Sequence, residues 1–244
     1  MAKELLEVQH KNLSNLIKEC DLEQLQAMEQ EFVVKYTFDA ISMEGKNTIS
    51  LEDVNRLINA KALPKYTERE QKEVLNHVKA YDLIKQWIEQ KIVLDEERLK
   101  DLHEVLVEDI FQGGVYRNVN IQIKGATHQP PDYVKVYDRM NKLFQKIDNV
   151  EGDAVEKAVY IHASFAKIHP FFDGNGRLAR LLLNYYLIKE DYLPISIPLA
   201  KRDEYFDRLE HFKVEKDTTP LVDFVKELLV EQYEKVINKL EVSA

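Results

Sequence analysis

The stretch His169-Pro170-Phe171-Phe172-Asp173-Gly174-Asn175-Gly176-Arg177-Leu178-Ala179-Arg180 gathers a base, a carboxylate, a glycine-flanked turn and two guanidinium groups. A Gly-Asn-Gly turn can present consecutive backbone N–H groups, because glycine takes backbone angles that other residues avoid. With a helix starting at Arg177, those groups lie at its positive end, an arrangement suited to phosphate. Arg177 and Arg180 are three apart and reach the same side of the helix start. Asp173 offers a hard oxygen ligand to a divalent cation. His169 can take a proton near neutral pH. A polar helix entry with an ordinary turn would explain any one of these residues. It does not explain the whole set at this spacing.

The elements that must position this stretch read as helices. A helix with Asp153 and Glu156 as its capping pair carries Val155, Val159, Ile161, Phe165 and Ile168 into it. Leu178 to Ile188 is apolar on nearly all sides, as a buried helix is, so the turn is expected on the central helix of the domain. Pro194 and Pro198 follow it, and Leu221 to Leu240 forms the last helix. Upstream, the periodicity predicts helices over 4–34 with a break near Asp21, over 51–62, 66–90, 95–110 and 133–147. The composition changes only at 111–136. Alternating Val115, Val119, Ile121 and Ile123, bounded by Gly113-Gly114, Gly125 and Pro130-Pro131, predict a β-hairpin or extended loop.

Length and charge bound the function. A chain of 244 residues supports one large domain or one domain with a small attachment. A net charge of −9 disfavours a general nucleic-acid binder. The single cysteine, Cys20, excludes an intrachain disulfide and points to a reducing, cytoplasmic location. The start lacks an apolar segment of signal-peptide type, and no run reaches membrane-span length. His162 lies seven residues before His169 with no third ligand nearby, so a zinc site is not expected.

The motif resembles the signature of the Fic family, His-x-Phe-x-(Asp/Glu)-Gly-Asn-Gly-Arg-x-x-Arg, and matches every defined position. The resemblance implies a mainly helical Fic fold (all-α) with a short β-hairpin flap. The implied reaction is protein AMPylation, the transfer of AMP from ATP to a Ser, Thr or Tyr hydroxyl of a target protein or of the enzyme itself. It implies His169 as base, Asp173 as the Mg²⁺ ligand, and Gly174, Asn175 and Gly176 as the phosphate cradle. It also implies Arg177 on the β-phosphate and Arg180 on the γ-phosphate, with Phe171 as a core anchor. Glu73 to Ala80 is similar to the family's Glu-x-x-x-Asn-x-x-x-Ala segment, with Asn76 one position short. By periodicity the same stretch is core. Arg202 to Leu209 resembles Arg-x-x-Tyr-(Tyr/Phe)-x-x-Leu, which implies that Tyr205 packs beside the adenine. A tyrosine at helical spacing reads equally as core.

Some members carry an inhibitory helix ending in (Ser/Thr)-x-x-x-Glu-(Gly/Asn). Glu44-Gly45 matches its end, and Ala40 stands where Ser or Thr is expected. By that resemblance Glu44 competes for Arg180. The implied organisation is an N-terminal helical region, 1–62, with an inhibitory segment around 37–45, and a catalytic domain over 66–244. The winged-helix appendage of many members is not expected. Gly176, where a kinase-like branch has Lys, favours AMP over phosphate transfer. The implied partner is a target protein laying an extended segment along the flap around 115–131. The face of residues 4–17 is open to a homodimer. The alternatives are a de-AMPylating hydrolase, a transferase of another nucleotide, and a non-enzymatic nucleotide-binding module. The last is disfavoured because binding alone needs neither a base nor a metal ligand.

Overall fold

The structure, a computed structural model, describes residues 2–59, 62–123, 126–147 and 149–243. Its regular elements among these residues are helices: α1 (Ala2–Leu16), α2 (Leu22–Ser42), α3 (Leu51–Ile58), α4 (Glu68–Glu89), α5 (Glu96–Leu106), α6 (Val136–Ile147), α7 (Ala154–Ile168), α8 (Asn175–Lys189), α9 (Arg202–Glu215) and α10 (Thr219–Ser243).

Short polar side chains set the starts. Asp21, Ser50, Thr67, Asp95 and Asp153 each accept a backbone N–H from the first turn of the helix that follows. Thr67–Glu70 and Asp153–Glu156 are full capping boxes. The break near Asp21 is therefore real, since that residue caps α2 after a short 3₁₀ turn over Ile17–Glu19. The helix expected over 51–62 stops at Ile58, and residues 60 and 61 lie outside those described.

α8 is the central element. Every residue from Arg177 to Leu187 is buried, as the all-round apolar pattern requires. It packs most extensively on α7, with α4, α2 and α5 against its other sides. α1 lies along α10, burying Leu6 and Leu13 and leaving Leu5 and Val8 exposed. No helix of the described residues is long and apolar enough to cross a membrane.

The expected β-hairpin is corrected by the structure: the described residues contain no strand. Between α5 and α6 the chain is irregular, and Gly125 lies outside the described residues. Side chains close this loop instead of a ladder. Gln129 Oε1 accepts the Ile123 N–H at 2.9 Å, and Asn120 Oδ1 accepts the Tyr133 N–H at 2.8 Å. Arg117 donates to the carbonyls of Val119 and Pro131. Pro130 and Pro131 have no N–H to give a ladder, so the alternating β-branched residues lack a partner strand.

Candidate active site

The motif loop joins α7 to α8. His169 ends α7 in the left-handed conformation (φ 52°, ψ 62°), with its N–H on the Phe165 carbonyl. A non-glycine residue there is strained and needs support from its surroundings. The support comes from Arg117, whose Nε donates to the His169 carbonyl at 3.0 Å. Burial pushes the His169 imidazole down to about 4, against a favourable pull from Glu44. It is therefore neutral at pH 7 and able to accept a proton.

Phe171 is fully buried, as a core anchor must be. The His103 ring stacks on it with centroids 3.7 Å apart. The Gly114 N–H donates to His103 Nδ1, so the ring proton sits on Nε2, which donates to the Asp173 carbonyl at 3.0 Å. His103 thus ties the start of the flap loop to the motif loop. Phe172, by contrast, is 68% exposed.

α8 begins at Asn175, two residues before the expected start. Gly174 stands at its N-cap with φ 77°, where only glycine is unstrained. No side chain caps this helix. Its first N–H groups therefore have neither an intrahelical acceptor nor a cap, and they face the loop. The Asn175 side chain is fully engaged with the Phe171 backbone, donating to its carbonyl at 2.8 Å and accepting its N–H at 2.9 Å. It shapes the cradle, and the backbone is left to meet a ligand.

Arg177 and Arg180 are 5% and 3% exposed. Arginine at the positive end of a helix is unfavourable without a counter-charge. Two glutamates supply it. Glu44 Oε1 lies 3.6 Å from Arg180 Nη2, which also donates to the Ala40 carbonyl at 2.8 Å. Glu73 Oε1 lies 3.8 Å from Arg177 Nη2. Arg177 Nη1 and Arg180 Nε are nevertheless buried without any partner. Glu44 Oε1 also sits against Gly176, so closely that any side chain there would collide with it.

Asp173 Oδ1 accepts the Gly174 N–H at 2.7 Å, and Oδ2 accepts Arg69 Nη2 at 2.7 Å. No group of three or more His, Cys, Asp or Glu able to hold a metal exists among the described residues. One carboxylate beside a phosphate cradle does fit Mg²⁺, which takes few protein ligands and completes its shell with phosphate oxygens and water.

Tyr205 is placed inside the core, 1% exposed, with its hydroxyl donating to His162 Nε2 at 3.1 Å. His162 Nδ1–H in turn donates to the Ala179 carbonyl of α8 at 2.8 Å. His162 is thus a satisfied core histidine.

The site brings together more than the motif predicts. His103, Arg117, Arg69 and Asn47, whose Nδ2 donates to Glu73 at 3.0 Å, were not foreseen, and Glu73 was marked only as the start of a segment that resembles the family's and reads by periodicity as core. The only signals in the sequence were Gly113-Gly114 beside His103 and the Glu73–Ala80 segment.

A helical fold carrying an anion cradle, a neutral histidine and two part-paired arginines at the entry of its central helix defines a known class. The chain matches the Fic/DOC family model over residues 93–187. It is similar to the protein adenylyltransferase Fic of Drosophila persimilis, 28% identical over 207 residues, covering 82% of this chain and 40% of that one. It is also 25% identical over 236 residues to protein adenylyltransferase fic-1 of Caenorhabditis briggsae, covering 90% of this chain and 44% of that one. The chain thus spans well under half the length of these relatives. Among solved structures, a Fic domain containing signaling protein from Bacteroides thetaiotaomicron superposes with TM-score 0.88 at 20% identity over 97% of each chain. Residues 134–508 of Fic-1 from C. elegans superpose with TM-score 0.85 at 22% identity, over 100% of this chain and 74% of that one.

Proposed function

We propose that the chain transfers AMP from ATP to a hydroxyl of a protein, and that Glu44 restrains the reaction. The observation that carries this is the pair of buried arginines, each with an unpaired guanidinium nitrogen, at the uncapped start of α8. Unpaired buried donors are costly, and a bound anion relieves that cost. The N–H groups at the α8 start take the phosphates, Arg177 the β-phosphate and Arg180 the γ-phosphate. Asp173 holds Mg²⁺, which when bound neutralises charge on the phosphate oxygens.

The neutral His169 takes the proton of the target hydroxyl as its oxygen attacks the α-phosphorus. The bond to the bridging oxygen breaks, and pyrophosphate leaves. Glu44, paired to Arg180, holds the seat of the γ-phosphate, so ATP must displace it. The target lies along the loop around 115–131, where Val115 and Val119 are exposed. The acidic charge argues against a nucleic-acid partner, and the lone thiol Cys20 suits a reducing, cytoplasmic setting.

A hydrolytic second reading, in which Glu44 positions a water, stands beside it. ATP labelled at the α- or the γ-phosphate, incubated with Mg²⁺ and wild type or Glu44→Gly, separates the readings. Label from the α-position alone, stronger in Glu44→Gly, supports AMP transfer. Label from the γ-position makes the protein a kinase. Release of AMP from a modified protein, lost in Glu44→Gly, favours the hydrolase. His169→Ala should lower transfer about 100-fold or more, with ATP binding by calorimetry retained.

A further inference from the structure

Arg117 is an arginine in an unusual setting. It is 5% exposed, yet the ion pairs of the described residues do not include it. Its nearest carboxylate influence, Asp132, is engaged with Asn120 Nδ2 and the Val134 N–H. Burying a guanidinium without an anion is expensive unless its donors are matched. Here the match is a set of carbonyls. Nε donates to His169, Nη1 to Val119 at 3.0 Å, and Nη2 to Pro131. The Arg117 backbone N–H adds a bond to the Pro170 carbonyl at 2.9 Å. Carbonyls accept from this planar fork only when they converge on it, so the three carbonyls fix one another's places.

These partners come from three parts of the chain. Val119 and Pro131 lie twelve residues apart within the connection between α5 and α6. His169 is the left-handed residue that ends α7. We propose that Arg117 is a positioning residue: it closes the 119–131 loop and, through the same side chain, fixes the backbone that presents the base. This rests on the reading of His169 as the base and of the loop as the target's docking edge. A target segment laid along the loop is then registered against His169 by one rigid group. ATP binding, which uses the other end of the motif, does not depend on it.

The test uses the full chain with Arg117→Met and Arg117→Lys, each compared with wild type for thermal unfolding. Amide exchange reads the clamp without any reaction. In Arg117→Met, exchange across 119–131 and at His169 should quicken about tenfold or more, the effect of losing hydrogen bonds to a charged group, while α7 stays protected. Arg117→Lys keeps the charge but not the fork and should fall between. With a protein acceptor, kcat should drop about tenfold or more in Arg117→Met, with the KM for ATP within about twofold. Unchanged exchange in the loop overturns the clamp. A KM for ATP that rises in step with the loss of kcat also overturns it, since the residue would then support the whole site. If Arg117→Met does not fold, the same two readings on Arg117→Lys decide. If wild type itself transfers nothing, the functional reading falls, and the exchange result still judges the clamp.

Discussion

Arg177 and Arg180 are three residues apart on α8 and equally buried, but the carboxylates that face them are held differently. Glu73 belongs to the interior of α4, with its side chain 8% exposed. It accepts Asn47 Nδ2 at 3.0 Å and Arg69 Nε at 3.2 Å besides facing Arg177. Glu44 follows the last turn of α2, beside Gly45 with φ 68°, and its side chain is 31% exposed. What holds it in place is mostly backbone on either side. Arg202 Nε donates to the Met43 carbonyl at 2.7 Å, and Asn47 Nδ2 and Thr48 reach Glu70. A buried carboxylate with three cationic or amide partners is part of the fold. One at a helix end, partly in water, can be displaced by a ligand carrying more negative charge. The same helix face is met by one carboxylate built into the interior and, on the proposed reading, one exchangeable counter-ion.

The sharpest break in that comparison is to remove each carboxylate in turn. Glu44→Gly should raise AMP transfer about tenfold or more, because each ~1.4 kcal/mol of competition removed is tenfold in apparent affinity. Its unfolding midpoint should barely move. Glu73→Gln should do the reverse. It leaves Arg177 and Arg69 with a neutral amide and should lower stability by about 2 kcal/mol in urea titration, without raising transfer. If Glu73→Gln activates as Glu44→Gly does, the two glutamates are equivalent and the distinction fails.

A second break is acid. Behind the arginines lie buried imidazoles. Burial, with Arg180 and Arg177 adding to it, pushes His77 down to about 3. Burial, with Arg177 adding to it and Asp173 opposing it, pushes His103 down to about 4, and burial, with Arg180 and Lys213 adding to it and the bond to the Ala179 carbonyl opposing it, pushes His162 down to about 4. Unfolded, each would bind a proton near 6.5. Between about pH 6.5 and 4 the unfolded chain therefore holds more protons than the folded one, and stability falls as pH falls through that window. Each such histidine should contribute roughly 1 kcal/mol per pH unit, read as a lower urea midpoint at pH 5 than at pH 7. His103→Gln should flatten part of that slope. An unchanged slope would mean that His103 is already solvated in the native state.

The sequence made the centre of this site legible and its borders much less so. A contiguous motif carries its own geometry. A Gly-Asn-Gly turn exposes backbone N–H groups, and an all-apolar run must be the buried helix, whereas the bond from Asn175 back to Phe171 was not foreseen. Helix starts were legible for the same reason, since Asp21, Ser50 and Asp153 act on residues two or three ahead. The 115–131 loop was misread because alternation of β-branched residues cannot say whether a partner strand exists. Arg117 was invisible because its partners are carbonyls, which every residue has. His103 and Glu73 act over 70 and more positions. Glu44 could be singled out only by resemblance, because a glutamate near a helix end is common.

The smallest effect tests the contact that couples Glu44 to the cradle itself. Gly176 lies in the first turn of α8, with Glu44 Oε1 where its side chain would be. Alanine there gains up to about 1 kcal/mol of helix propensity. In wild type that gain is opposed, because the new methyl group must push the carboxylate off its place. Glu44 is at a helix end and partly exposed, so the side chain can move and the cost is modest. Gly176→Ala alone should therefore change stability by less than about 0.5 kcal/mol. In the Glu44→Gly background only Arg180 Nη1, 3.3 Å from the methyl position, remains close, and the same substitution should raise the unfolding midpoint. The difference between the two backgrounds is the coupling energy of residues 44 and 176, which a double-mutant cycle isolates. A coupling of zero would mean that Glu44 does not rest on the cradle in solution, and the exchangeable counter-ion would have to be sought elsewhere.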